Sequence, residues 1–151
     1  MSPITEMPLG ECMALLAARQ LGRVALATPM GVRIMPVNYK MHDSDIVVRT
    51  TSHSLLGTYG WDSELAFEVE DLDERAHEGW SVVALCKARL VDDLDEIDWI
   101  RWCGDPEPWA DGPRHVYLRL FVREVSGRRV GGDVLAPVGA LASMPVNNYL
   151  G

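Results

Sequence analysis

Hydrophobic positions change their period several times along the chain. From about Leu9 to Gln20, Cys12, Leu15, Leu16 and Arg19 recur at helical spacing, and Gly22 can end that helix. GRVALAT then turns to β-branched, alternating character, and Pro29-Met30-Gly31 marks a turn. VRIMPVNYKM reads as a second strand. Its internal Pro36 cannot donate a ladder hydrogen bond, so that position belongs at a bulge or an edge. His42-Asp43-Ser44-Asp45 reads as a hairpin loop, IVVRT as a third strand, and SLLGTYGW as a short helix. LAFEVEDL and GWSVVALCKARLV supply the fourth and fifth strands. Acidic DDLDEIDWIRW starts a helix well, because carboxylates in a first turn complement the helix dipole. After the loop GDPEPWADGP comes a last strand, HVYLRLFVREV, with clear period-two alternation.

Six strands with short connections and peripheral short helices predict a mostly β domain, a small and mostly antiparallel barrel. No βαβ rhythm is present. This domain takes residues 1–130, and residues 131–151 form a C-terminal tail without periodicity, expected to pack on the surface or be partly disordered.

Charge then narrows the partners. The 151 residues hold 22 acids against 14 bases, a formal charge of -8. Such a surface repels phosphate backbones, which argues against nucleic-acid binding, and any anionic ligand must be held by a few local positive groups. No apolar run approaches the roughly 20 residues that span a bilayer, and MSPITEMPLGE is no signal peptide. Cys12, Cys86 and Cys103 form no CxxC and, with four scattered histidines, no zinc spacing; Cys86 reads as a reduced core thiol. The expected compartment is cytoplasmic, with no metal.

Familiar catalytic motifs are missing: there is no GxSxG elbow, Walker loop, GxGxxG fingerprint or HExxH helix. Ser52-His53-Ser54 sets a histidine beside hydroxyls, yet neighbours in an extended chain point to opposite faces. Asp92, Asp93, Asp95, Glu96 and Asp98 lack the glycine and alternating ligands of a calcium loop and read as a solvated helix face. No catalytic residue is assigned. The informative stretch is VVRTTSHSLLG, Val47 to Gly57, where one arginine and a run of hydroxyls follow a strand. It is either a phosphate cradle or a polar turn between a strand and a helix. A phosphate wants a guanidinium fork plus neutral donors, and Arg49 with Thr50, Thr51, Ser52 and Ser54 supplies them.

The ordered series LGRVAL, RIMPVNYKMHDSDIVVRT, LAFEVEDLDERAHEGWSVV, PWADGPRHVYLRL and EVSGRRV resembles the pyridoxamine 5′-phosphate oxidase-like family, in its small bacterial branch. The resemblance spans about Leu9 to Val130. It implies an FMN-binding split β-barrel, six-stranded and antiparallel, that forms a homodimer with cofactor sites at the subunit interface. Members commonly bind FMN, some F420, and a few haem or no cofactor. It implies that Arg49 and Thr50 approach the flavin phosphate, with Thr51, Ser52 and Ser54 as further donors. Gly79 to Val82, including Trp80, Ser81 and Val82, would lie along the flavin; backbone around Pro36, Val37 and Asn38 would line the same groove. The partner's Trp109 and Arg128 regions would close it. Trp80 either stacks on the ring or serves as a core or interface anchor, and Asn38 serves either a bulge or the ligand.

One departure stands out. Related sequences carry a glycine and a lysine after the arginine-threonine pair, where this chain has His53 and Leu55. One cation fewer around a dianion weakens a site by about 1.5–3 kcal/mol, roughly tenfold to a hundredfold. A protonated His53 would compensate. The arginine-bearing C-terminal strand of true pyridoxamine phosphate oxidases is absent, so that activity is not expected. Two readings follow. In one the protein is an FMN- or F420-dependent oxidoreductase acting on a small acceptor such as a nitro compound, quinone or enone. In the other it is a non-catalytic split-barrel dimer that holds FMN weakly, haem or nothing, in a ligand-binding or stress-related role.

Overall fold

The computed structural model describes residues 3–110 and 112–131, so the expected tail lies outside the described residues apart from Gly131. In chain order the elements are β1 (Ile4–Glu6), α1 (Leu9–Ala18), β2 (Leu21–Thr28), β3 (Gly31–His42), β4 (Asp45–Thr50), α2 (Leu55–Tyr59), β5 (Glu64–Asp73), β6 (Glu78–Val91), α3 (Leu94–Gly104) and β7 (Val116–Val130). All pairings are antiparallel, in the order β1-β7-β4-β3-β2-β5-β6, and β6 pairs in addition with β7. That last ladder closes β2 to β7 into a six-stranded antiparallel split barrel, the architecture expected, with β1 as a short addition to β7.

Turn chemistry builds the hairpins where the sequence places them. Thr28 Oγ1 donates to the Gly31 carbonyl at 2.6 Å, and Gly31 has φ 104°, open to glycine but strained for other residues. His42 pairs with Asp45 across a two-residue turn in which Asp43 has φ 52°. β3 pairs with β2 from Gly31 to Asn38, but with β4 only from Tyr39 to His42. The first part of β3 therefore has one open edge, and Pro36 sits there opposite Arg23, where a missing N–H is tolerated.

Alternation buries one face of each strand. Val24, Tyr39, Ile46, Val48, Phe67, Val82, Cys86 and Leu118 fill the barrel, capped by Cys12, Leu15 and Leu16 of α1. Tyr39 meets Phe67 edge to face at 4.7 Å, and its hydroxyl donates to the Leu16 carbonyl at 2.5 Å. A second cluster of Val47, Val91, Ile100 and Tyr117 lies outside β4 under α3. α3 is capped by Asp93, which accepts from the Asp95 and Glu96 amides, so the acidic run opens the helix, with Asp92, Asp93, Asp95 and Asp98 exposed on its solvated side. Glu96 accepts from Arg89 at 2.8 Å and Arg119 at 3.0 Å, and Arg119 reaches Asp45 at 3.3 Å, tying the helix to the barrel. Burial alone would raise the Glu96 carboxyl, but these two guanidiniums hold it below the usual range.

Two features depart from the sequence pattern. β1 is added, and β7 continues past Val125 to Val130. Ser126 to Val130 have no apolar alternation; they extend because Gly79 to Val83 of β6 offer partners on one side and β1 on the other. A Cβ on Gly127 would stand 2.5 Å from Cys12 Sγ, so glycine lets the start of α1 press onto β7.

Candidate functional site

The β3–β4 ladder ends at Tyr39 and Val48. β4 pairs with β7 from Ile46 to Thr50, and beyond Val48 with β7 alone, Arg49 lying opposite Tyr117 and Thr50 opposite Val116. Asn38 and Arg49 therefore flank the point where the two strands part. The segment after α3 crosses this point and binds Arg49 closely. Arg49 Nε and Nη2 donate to the Arg114 carbonyl at 3.2 and 2.8 Å, and Nη1 donates to Asp105 Oδ2 at 3.0 Å. The guanidinium lies 5.3 Å from the Tyr117 ring centre. The Tyr117 hydroxyl donates to the same Asp105 oxygen at 3.1 Å and accepts from Arg101 Nε at 3.3 Å. Across the split the Trp109 amide donates to Asn38 Oδ1 at 3.0 Å. Two buried polar atoms here have no protein partner, Asn38 Nδ2 and Asp105 Oδ1.

The hydroxyl run divides into two kinds. Ser54 Oγ donates to the Thr51 carbonyl at 2.9 Å and accepts from the Gly57 amide at 2.9 Å, capping α2. Its proton is thus committed, so the 2.5 Å contact with Thr50 Oγ1 has the buried threonine as donor. Thr50 and Ser54 are occupied in shaping the turn. No side-chain hydrogen bond engages the hydroxyls of Thr51 or Ser52, or the exposed His53 ring, among the described residues. Leu55 is half-buried at the start of α2. The stretch is a strand-to-helix turn first, with free donors on its outside.

Other residues singled out from the sequence lie elsewhere. Val37 is half-buried and packs against the barrel core, while Pro36 on the opposite face is exposed. Trp80, Ser81 and Val82 on β6 pair with Arg129, Arg128 and Gly127, at the end of β7 opposite to Tyr117. The Val82 side chain is fully buried inside the barrel, so only its backbone is available to a ligand. Trp80 is half-buried and packs against the core, with the Arg19 guanidinium 5.8 Å from its ring centre. Arg128 is exposed. Trp109 reaches Asn38 of its own chain.

A cleft of about 680 Å³ runs from Trp109 and Pro36 to the end of α1. Its two arginines are paired, Arg19 with Asp71 at 3.4 Å and Arg23 with Glu70 at 2.5 Å. Glu68 and Glu74 also line it, and no ion pair among the described residues engages them, so the cleft is acidic. Sequence reasoning missed this feature because charged outward positions on β2 and β5 look like ordinary solvated faces. Only the register Arg23 to Glu68 brings them together.

Residues 8–129 match the family model of pyridoxamine 5′-phosphate oxidase. The chain belongs to this family. A curated relative, an uncharacterized protein of Mycobacterium tuberculosis, is 28% identical over 139 residues, covering 89% of this chain and 90% of its own. Among solved structures, an FAD-binding protein from Mycobacterium smegmatis is 25% identical with a TM-score of 0.71, covering 83% of this chain and 98% of that one. A conserved protein of unknown function from Corynebacterium diphtheriae is 30% identical with a TM-score of 0.72, covering 85% of this chain and 99% of that one. Among the described residues no helix is long and apolar enough to cross a membrane.

Proposed function

We propose that this family member is a flavin-binding oxidoreductase, with FMN or F420 as cofactor, acting in the cytoplasm as a homodimer on a small acceptor such as a nitro compound, quinone or enone. The observation that carries the reading is the unpartnered Nδ2 of Asn38 at the strand split. A buried amide donor without an acceptor calls for one, and a flavin ring presents carbonyl oxygens of that kind. The likeness to an FAD-binding protein supports the same ligand class.

Against a flavin, the free donors of the turn fit. Thr51, Ser52 and His53 offer donors to a phosphate, and the backbone from Pro36 to Asn38 offers a wall to the ring. When bound, the flavin supplies the hydride chemistry. The chain's residues bind and orient it and exclude water. The permanent charge of Arg49 is already engaged by Asp105, and Leu55 adds none. This favours, as a second reading, a non-catalytic dimer that holds its ligand weakly. The absorbance spectrum of the purified protein separates the two: flavin bands that bleach on reduction and return with a nitro or quinone acceptor support the enzyme. A bare protein spectrum that FMN titration leaves unchanged overturns it. Leu55→Lys should tighten FMN about tenfold by restoring a cation.

A dimer is supported by the outer face of the open part of β3, where Val32 and Ile34 are 68% and 70% exposed. Sedimentation at micromolar concentration should give twice the chain mass; a monomer there overturns the shared-interface site.

A further inference from the structure

We propose that Asp105 is a built-in competitor for Arg49 that decides which ligands the cradle accepts. This rests on reading the turn after β4 as a flavin-phosphate site, and it adds the residue that guards its one committed cation.

A carboxylate facing a guanidinium commonly uses both oxygens in a two-pronged contact. Asp105 does not. Its Oδ2 takes both Arg49 Nη1 and the Tyr117 hydroxyl, while its buried Oδ1 has no protein partner. Asp105 thus neutralises Arg49 through one prong only, a contact that a phosphate with three oxygens can replace. The remaining contacts of Arg49 are to neutral carbonyls, that of Arg114 and, from Nη1 at 3.5 Å, that of Pro106, which carry no charge to compete.

The second unpartnered atom is tied to the same segment. Trp109, four residues after Asp105, donates to Asn38 Oδ1, leaving Asn38 Nδ2 covered and without an acceptor. An anion that takes Arg49 from Asp105 loosens the segment that also covers Asn38, so the phosphate end and the ring end of a ligand are admitted together. A ligand without an anionic group does not displace Asp105. The result is selection: a phosphorylated flavin gains the arginine, and an unphosphorylated one does not.

The test compares wild type, Asp105→Asn and Tyr117→Phe, titrated with FMN and with riboflavin by flavin fluorescence. The asparagine still accepts from Arg49 and Tyr117 but carries no charge, and the phenylalanine removes one of the two bonds that hold the carboxylate in place. Asp105→Asn should bind FMN about tenfold tighter, the size of one charge-assisted hydrogen bond, with riboflavin affinity within about twofold of wild type. Tyr117→Phe should move FMN affinity the same way by a smaller factor, and it carries the comparison alone if Asp105→Asn does not fold. Equal changes for FMN and riboflavin, or no gain for FMN, overturn the proposal. If neither flavin binds any of the three proteins, the flavin reading fails and inorganic pyrophosphate decides. The Arg49 Nε–H resonance, assigned with Arg49→Lys, should then respond at about tenfold lower pyrophosphate in the variant than in wild type. Equal midpoints overturn the role of Asp105.

Discussion

Replacing Arg49 with methionine asks whether this arginine holds the fold together in the absence of any ligand. The substitution keeps the apolar stem against Tyr117 and removes the guanidinium. Two donors to the Arg114 carbonyl and the pair with Asp105 are lost, while side-chain exposure is 20% for Arg49 and 32% for Asp105. Charged hydrogen bonds contribute about 1.5–3 kcal/mol when well shielded and exposed pairs about 0.2–1 kcal/mol. A half-shielded set sharing one carbonyl acceptor and one carboxylate oxygen lies between these limits. We expect destabilisation of about 2–3 kcal/mol. With a urea slope of about 2 kcal/mol per molar, the midpoint should fall by about 1–1.5 M. Completing a cycle with Asp105→Asn should return a coupling of about 1 kcal/mol, since the two residues share one contact. Far-UV circular dichroism during urea unfolding measures all four proteins. A midpoint within about 0.3 M of wild type, a shift of under about 0.6 kcal/mol, would show that the post-α3 segment is not tied down through Arg49. The claim that Asp105 competes for it would then lose its geometric basis.

Three further expectations follow from the packing. Burial, helped by the nearby Arg119 and Lys40, pushes His42 below its ordinary value, while its Nε2 meets the Gly104 carbonyl at 3.0 Å. The unfolded chain thus takes up a proton first as pH drops below about 6.5, so stability should decline below that pH, and His42→Gln should flatten the decline in urea midpoints measured at several pH values. The Glu11–Arg129 pair, with side-chain exposures of 10% and 7%, joins α1 to β7, so Glu11→Ala should cost about 3–5 kcal/mol by stranding a buried guanidinium. Adding Arg129→Met should recover much of that in the same unfolding assay, and a strictly additive double variant would refute it. Ser54→Ala removes the α2 cap and the acceptor for Thr50, for an expected loss of about 1–2 kcal/mol in thermal unfolding, whereas Ser52→Ala should change stability by less than about 0.5 kcal/mol.

Most of the barrel was legible because its signals are local. Period-two alternation in LAFEVEDL and HVYLRLFVREV states which face is buried, whatever the strand pairs with. The turns at Gly31 and Asp43 follow from residues that tolerate positive φ, and Pro36 announced an edge because it has no N–H to give. The family resemblance was readable for a related reason, since its motifs are strung along the chain in order. What the pattern left open are contacts between distant segments. A three-residue strand has no period, and β1 exists only because the far end of β7 offers it an edge. Arg49 and the hydroxyls after it could have been a cradle or a turn; residues more than fifty positions away decided that Asp105 and Arg114 engage the arginine. In the sequence Asp105 is one acid in a Pro- and Gly-rich loop, indistinguishable from the solvated acids around it. Its meaning comes from the strand split at Asn38 and Arg49, where folding puts a cation, an unpartnered amide and a carboxylate within one small space, because charge recognises distance in space and not separation along the chain.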